Sequence, residues 1–176
     1  MSQEIDLKSK LRIIPDFPRK GVNFVDITPL LGDAESFREA IRRLTSHFSK
    51  KKLDLVVGIE ARGFMLAAPV AYNLGLGFVP ARKKGKLPFG KLSMEYTLEY
   101  STEYLEMHED GIRSGQRVAI IDDLLATGGT AEATARLVEK LGGRVEGLAF
   151  LVELDFLKGR DRLRNYDLYS LVHLES

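Results

Sequence analysis

Residues 117–152 leave few architectures open, because they read in order as an apolar strand, a polar glycine turn, an amphipathic helix and a second apolar strand. Arg117–Ile121 is the first run and Asp122–Thr130 the loop. Apolar spacing predicts a helix over Ala131–Leu141, ended by Gly142 and Gly143, and Val145–Val152 is the next strand. A strand with no polar face needs cover on both sides, so it belongs in a mostly parallel sheet flanked by helices, an α/β fold. The same order recurs upstream. Leu53–Ile59 is followed by a turn at Glu60–Gly63, a helical stretch over Phe64–Leu74 that contains Pro69, and a short strand over Gly77–Ala81. Ahead of these, Phe37, Ala40, Ile41, Leu44 and Phe48 form a helical stripe backed by Arg38, Glu39, Arg42 and Arg43.

With 176 residues the chain can bury a core of its own, at roughly 70% of the surface its unfolded form exposes. Cysteine is absent, which excludes disulfides, thiolate zinc sites and a cysteine nucleophile. The 26 Lys and Arg against 25 Asp and Glu leave a formal charge of +1, so bulk charge gives no case for nucleic acid or an anionic membrane as partner. No run approaches the ~20 apolar residues of a membrane span, and the first ten residues lack a signal peptide's apolar stretch of roughly 7–15. The expectation is one cytoplasmic domain over residues 1–176. His47, His108 and His173 lack paired ligand spacing and are assigned to the surface or to caps rather than to a metal.

The loop Asp122–Thr130 carries the chemistry. It joins a buried strand to a helix start, where backbone N–H groups and the positive helix end converge on an anion. Gly128 and Gly129 let the backbone approach, and Thr127 and Thr130 add hydroxyl donors. No Lys-Ser/Thr follows the glycines, so this is not a nucleoside-triphosphate loop but suits a monophosphate. Asp122 and Asp123 would repel that phosphate unless hydroxyls or a metal stood between. A sugar phosphate resolves this, with its phosphate in the loop and its vicinal hydroxyls donating to the carboxylates. The plainer alternative is a capped helix on a generic α/β turn.

Between two core units, Leu92, Met94, Tyr96, Leu98 and Tyr100 alternate with Ser93, Glu95, Thr97, Glu99 and Ser101. Period-2 alternation suggests a hairpin, placed where a lid would be inserted. The spacing of Tyr96, Tyr100 and Tyr104 leaves a partly helical lid open.

The run Val118–Thr130 resembles the phosphoribosyl pyrophosphate motif of the type I phosphoribosyltransferases, in the wording of their adenine-specific branch. Ile14–Pro18, Asp26–Leu31, Ala61–Phe64, Arg82–Pro88, Leu98–Tyr100 and Leu151–Leu154 are similar to that branch in the same order, so nearly the whole chain is covered. The resemblance implies a purine-salvage enzyme, a pentosyl transferase that joins adenine to phosphoribosyl pyrophosphate and releases AMP and pyrophosphate. It implies an N-terminal hood over about residues 1–35, a flexible loop over about 86–104 and a homodimer. It also implies Mg²⁺ bound mainly through substrate oxygens, with no direct protein ligands.

The resemblance places ribose hydroxyls on Asp122 and Asp123 and the 5′-phosphate on Ala126, Thr127, Gly128, Gly129 and Thr130. Pyrophosphate falls to Arg62, Arg82 and Lys86, and at the basic positions Arg82 and Lys86 the resemblance implies a residue that can reach the neighbouring subunit's site. Catalysis falls to Glu99, Tyr100 and Arg62, with Glu99 on the purine's imidazole edge. Adenine falls to Asn23, Phe24 and Val25, through stacking on Phe24 and backbone groups. The family often has a basic residue where this chain has Val25, so no ionic role is carried over there. Two other readings keep the motif: a 6-oxopurine or orotate enzyme, and a ligand-sensing regulator without catalysis. The hood and the Glu153–Arg160 region match the adenine branch, and only about fifty residues without a helix-turn-helix pattern precede the core.

Overall fold

The structure is a computed structural model that describes residues 5–97 and 102–175. The N-terminal segment forms a two-stranded antiparallel ladder, β1 (Arg12–Ile14) on β2 (Phe24–Asp26). Arg12 sits across from Asp26 in register and donates to its Oδ2 from Nε at 3.0 Å and Nη2 at 2.7 Å. A short helix α1 (Thr28–Gly32), with Pro29 in its first turn, leads into α2 (Ala34–Ser49). The Asp33 side chain caps α2 by accepting from Ser36 N at 3.2 Å. Of the stripe that the spacing predicts, Ala40, Ile41, Leu44 and Phe48 are buried and Phe37 is half-buried at its edge.

β3 (Leu55–Ile59) is buried at every position, followed by α3 (Gly63–Leu74), β4 (Gly77–Lys83), β5 (Lys91–Thr97) and β6 (Thr102–His108). The remainder is β7 (Arg117–Leu125), α4 (Gly129–Lys140), β8 (Arg144–Leu154), α5 (Gly159–Arg162) and β9 (Leu168–Leu174). Seven strands form one sheet in the order β5-β6-β4-β3-β7-β8-β9. The pairs from β4 to β9 are parallel, while β6 joins β4, and β5 joins β6, antiparallel. Successive residues of the central strands serve opposite faces. Val56, Ala119 and Ala149 pack under α2, α3 and β2, while Val57, Ile120 and Phe150 pack under α4 and the β5–β6 pair.

Three expectations change. β7 does not stop at Ile121 but runs to Leu125, pairing Asp122 with Phe150 and Leu125 with Glu153, so Asp122 and Asp123 are strand rather than loop residues. Leu124 and Leu125 carry the ladder on beyond the acids, Leu125 buried and Leu124 partly so. The inserted segment is a direct extension of the sheet, strand over 91–97 and 102–108, which excludes the helical alternative there. Third, His47 is half-buried and stacks on Tyr169 at 4.2 Å, and the edge-on contact of His108 with Phe89 likewise makes it a packing group. Among the described residues no helix is long and apolar enough to cross a membrane.

Candidate active site

The parallel strands β3, β4, β7 and β8 all end on one side, where α/β sheets place their ligands. At the end of β7, Asp122 and Asp123 are 9% and 6% exposed. Asp122 Oδ1 accepts from Asp123 N at 2.8 Å. Burial, and then the neighbouring Asp123 charge, push the Asp122 carboxyl well above the usual range. Burial raises Asp123 as well, and the nearby Arg62 guanidinium opposes it. The pair has a packing condition that the sequence did not reveal. Gly63, opening α3, lies so close that a Cβ there would stand 2.7 Å from Asp122 Oδ1 and 3.0 Å from the Ile121 carbonyl oxygen.

Arg62 comes from the turn before α3, which contains a cis peptide between Glu60 and Ala61. Its Nε lies 2.8 Å from Asp123 Oδ2, close enough for ion pairing though that oxygen has no aligned hydrogen bond. Its Nη1 donates to the Val25 carbonyl at 3.3 Å, and its guanidinium lies 5.1 Å above the Phe24 ring. One side chain therefore joins the N-terminal ladder to the acidic pair. Phe24 is half-buried, edge-on to Phe17 at 5.2 Å, whereas the Val25 side chain is buried in the core and only its backbone faces Arg62. Asn23 is exposed.

Residues 126–130 curl over the start of α4 around a recess of about 80 Å³ lined by Asp122 and residues 124–131. Gly128 has φ +81°, and a Cβ on it would stand 2.8 Å from the Gly159 carbonyl oxygen, so glycine is required on both counts. The recess joins helix-end donors and threonine hydroxyls to carboxylate acceptors, the polarity that a phosphorylated polyol needs.

Arg82 and Lys86 form a separate group beside this one. Arg82 donates to Glu60 from Nε at 3.2 Å and from Nη2 at 3.1 Å, and from Nη1 to the Lys86 carbonyl at 3.3 Å. Glu60 also accepts from Lys83 N at 2.9 Å, so this acid, passed over in the sequence, ties the cationic turn to the turn that carries Arg62. Buried Glu106 accepts from Gly85 N at 2.9 Å and lies 3.3 Å from Lys91 Nζ, holding the same turn from β6. Lys86 itself is exposed. Glu99 and Tyr100 lie outside the described residues. Among the described residues, Glu153, Asp155 and His173 are the group that could hold a metal, but Glu153 is already engaged by Arg160 and Ser170.

A buried acidic pair at a strand end with an arginine against it, beside a glycine loop that opens the next helix, suits an α/β domain that takes a phosphorylated sugar. The family model of the phosphoribosyl transferase domain matches residues 31–172, and the chain belongs to that family. Similarity over nearly the full length places it in the adenine phosphoribosyltransferase branch. An adenine phosphoribosyltransferase of Thermotoga neapolitana is 60% identical over 168 residues, 96% of this chain and 99% of the relative. The crystal structure of the Thermoanaerobacter pseudethanolicus adenine phosphoribosyltransferase superposes with a TM-score of 0.93 at 55% identity, covering 96% of this chain and 98% of that one. The Saccharomyces cerevisiae enzyme, solved with an imino-altritol bisphosphate and adenine, gives a TM-score of 0.88 at 40% identity, covering 94% and 96%.

Proposed function

We infer that this chain transfers the 5-phosphoribosyl group of phosphoribosyl pyrophosphate to adenine, giving AMP and pyrophosphate in purine salvage. The observation that carries the reading is Arg62 against the buried Asp122–Asp123 pair beside the Ala126–Thr130 recess. In this assignment the 5′-phosphate enters the recess and accepts from loop N–H groups and from Thr127 and Thr130. The ribose hydroxyls donate to Asp122 and Asp123, taking over from the Arg62 guanidinium. Released from Asp123, Arg62 grips pyrophosphate oxygens, supported by Arg82 and Lys86.

Adenine takes the face of Phe24 that Arg62 covers, with backbone groups of Asn23 and Val25 reading its edge. Glu99 and Tyr100, by resemblance, close over the reacting atoms, Glu99 accepting the proton that leaves as the adenine nitrogen attacks. As the bond to pyrophosphate breaks, positive charge grows on the ribose beside the carboxylates and negative charge on the leaving group beside the cations. Asp122 and Asp123, oxygen-only acceptors with one oxygen buried without an aligned hydrogen bond, fit a site where a hard cation is held by substrate oxygens and not by the protein directly. Mg²⁺ held so would neutralise the leaving pyrophosphate. By the same resemblance the chain works in the cytoplasm as a homodimer, with the 82–86 turn near the partner's site.

The test incubates the purified protein with phosphoribosyl pyrophosphate, Mg²⁺ and each of adenine, hypoxanthine, guanine, xanthine and orotate. AMP from adenine alone is expected. Product from another base instead would overturn the base assignment, and no product from any base would overturn the transferase reading.

A further inference from the structure

Glu153, near the end of β8, is 3% exposed, and both of its carboxyl oxygens have partners. Arg160 donates to it from Nε at 2.8 Å and Nη2 at 2.9 Å, and Ser170 Oγ donates at 2.6 Å. In the sheet it lies beside Leu125 of β7 on one side and His173 of β9 on the other. His173 Nδ1 is 3.8 Å away and 2.9 Å from Asp155. Burying a carboxylate is costly unless paired and hydrogen-bonded, and here the pairing spans seven residues to a turn that has no other charged tie to β8 among the contacts of the described residues.

That turn, residues 155–162, is seated on the phosphate loop. The Gly159 carbonyl oxygen fills the space a Cβ on Gly128 would need, and a Cβ on Gly159 would collide with the Ala126 carbonyl oxygen and the Leu125 side chain. Arg162 Cβ adds a third contact beneath Gly128, and the fully buried Leu163 anchors the far end. The loop therefore rests on a backbone surface whose height is set by how Arg160 is held. Because that loop carries no cation of its own, it can grip an anion only through the aim of its N–H and hydroxyl groups, and aim is what a small displacement destroys.

We propose that the Glu153–Arg160 pair is the positioning device of the 5′-phosphate loop, setting affinity for the phosphorylated substrate while leaving base recognition untouched. This rests on the reading of residues 126–130 as the 5′-phosphate site. Neither residue touches substrate; each acts through Gly159 on the loop.

The experiment compares Glu153→Gln, Arg160→Lys and Ser170→Ala with the wild type. It measures KM for phosphoribosyl pyrophosphate and for adenine separately, and calorimetric affinity for AMP and adenosine, which differ by the 5′-phosphate alone. Glu153→Gln and Arg160→Lys should raise KM for phosphoribosyl pyrophosphate about tenfold and weaken AMP by the same factor, with adenine and adenosine changed less than about twofold. Ser170→Ala, which keeps the ion pair, should give a smaller loss of about two- to threefold in the same direction. It serves as the deciding variant if Glu153→Gln does not fold. Unchanged AMP affinity in the folded variants, or equal loss of AMP and adenosine, would overturn the proposal. A wild type that binds AMP no better than adenosine would instead remove the phosphate-site reading itself.

Discussion

Gly63→Ala tests the acidic pair without touching a charged group. The added Cβ would stand 2.7 Å from Asp122 Oδ1, 3.0 Å from the Ile121 carbonyl and 3.1 Å from Asp122 Cα, where ordinary contact begins near 3.4 Å. Two of the three neighbours are backbone of β7, which the flanking ladders to β3 and β8 hold in place. The strain therefore falls on the Asp122 carboxylate and on the start of α3, each shifting by about half an ångström. Overpacking of this kind costs about 1–3 kcal/mol, and a midpoint moves about 2–4 °C per kcal/mol in a chain of this size, so thermal unfolding should fall by roughly 2–12 °C. A misplacement near 1 Å at reacting groups is worth up to about 100-fold, so kcat/KM for phosphoribosyl pyrophosphate should drop about 10- to 100-fold. Gly32→Ala is the control, since nothing lies within 4 Å of its Cβ and both readings should stay at wild-type values. Steady-state kinetics at saturating adenine and a thermal melt decide it. A Gly63→Ala protein with kcat/KM within about twofold of wild type would refute the claim that Gly63 sets the Asp122 carboxylate.

Two further outcomes follow from the same site. Asp122 and Asp123 titrate above the ordinary 3.8 when folded, so the folded state keeps protons that the unfolded chain has released. Their contribution is most favourable below pH 3.8 and declines as pH rises through the raised values. Asp122→Asn with Asp123→Asn should therefore be more stable than wild type near neutrality, with a gap that closes on acidification, while losing use of phosphoribosyl pyrophosphate. Asp26 and Glu39, held down to about 2 by hydrogen bonds from Thr28 and Arg12 and from Arg42 and Arg43, act in the opposite sense in both proteins and cancel in the difference. A stability gap independent of pH, measured by urea melts from pH 4 to 8, or unchanged turnover, would contradict this. Glu99→Gln should lower kcat while leaving adenine binding near wild type, and an equal kcat would show Glu99 to be a bystander.

Most of the scaffold was legible in local pattern. The runs Leu55–Ile59 and Arg117–Ile121 are apolar on both faces, and the stripe from Phe37 to Phe48 repeats at helical spacing, so each announces its element whatever surrounds it. The Gly128–Thr130 loop was likewise visible, because a glycine pair between strand and helix is a local backbone requirement. The boundary of β7 was misjudged at Asp122, where charge suggested a loop but pairing with β8 continued for four more residues.

What pattern could not reveal is which side chains meet. Arg62 and Asp123 are sixty-one positions apart, and they touch because β3 and β7 are neighbours in the sheet, an order selected by burial summed over both faces. Glu60 had no role in the pattern and Glu153 stood only within a stretch similar to the family until the fold set Arg82 and Arg160 against them, and Gly63 reads as a turn glycine until β7 passes within contact of it. Backbone preference is a property of a few adjacent residues and survives in the text of the chain. Side-chain partnership over such separations depends on strand order, register and close packing, which exist only once the whole core has condensed.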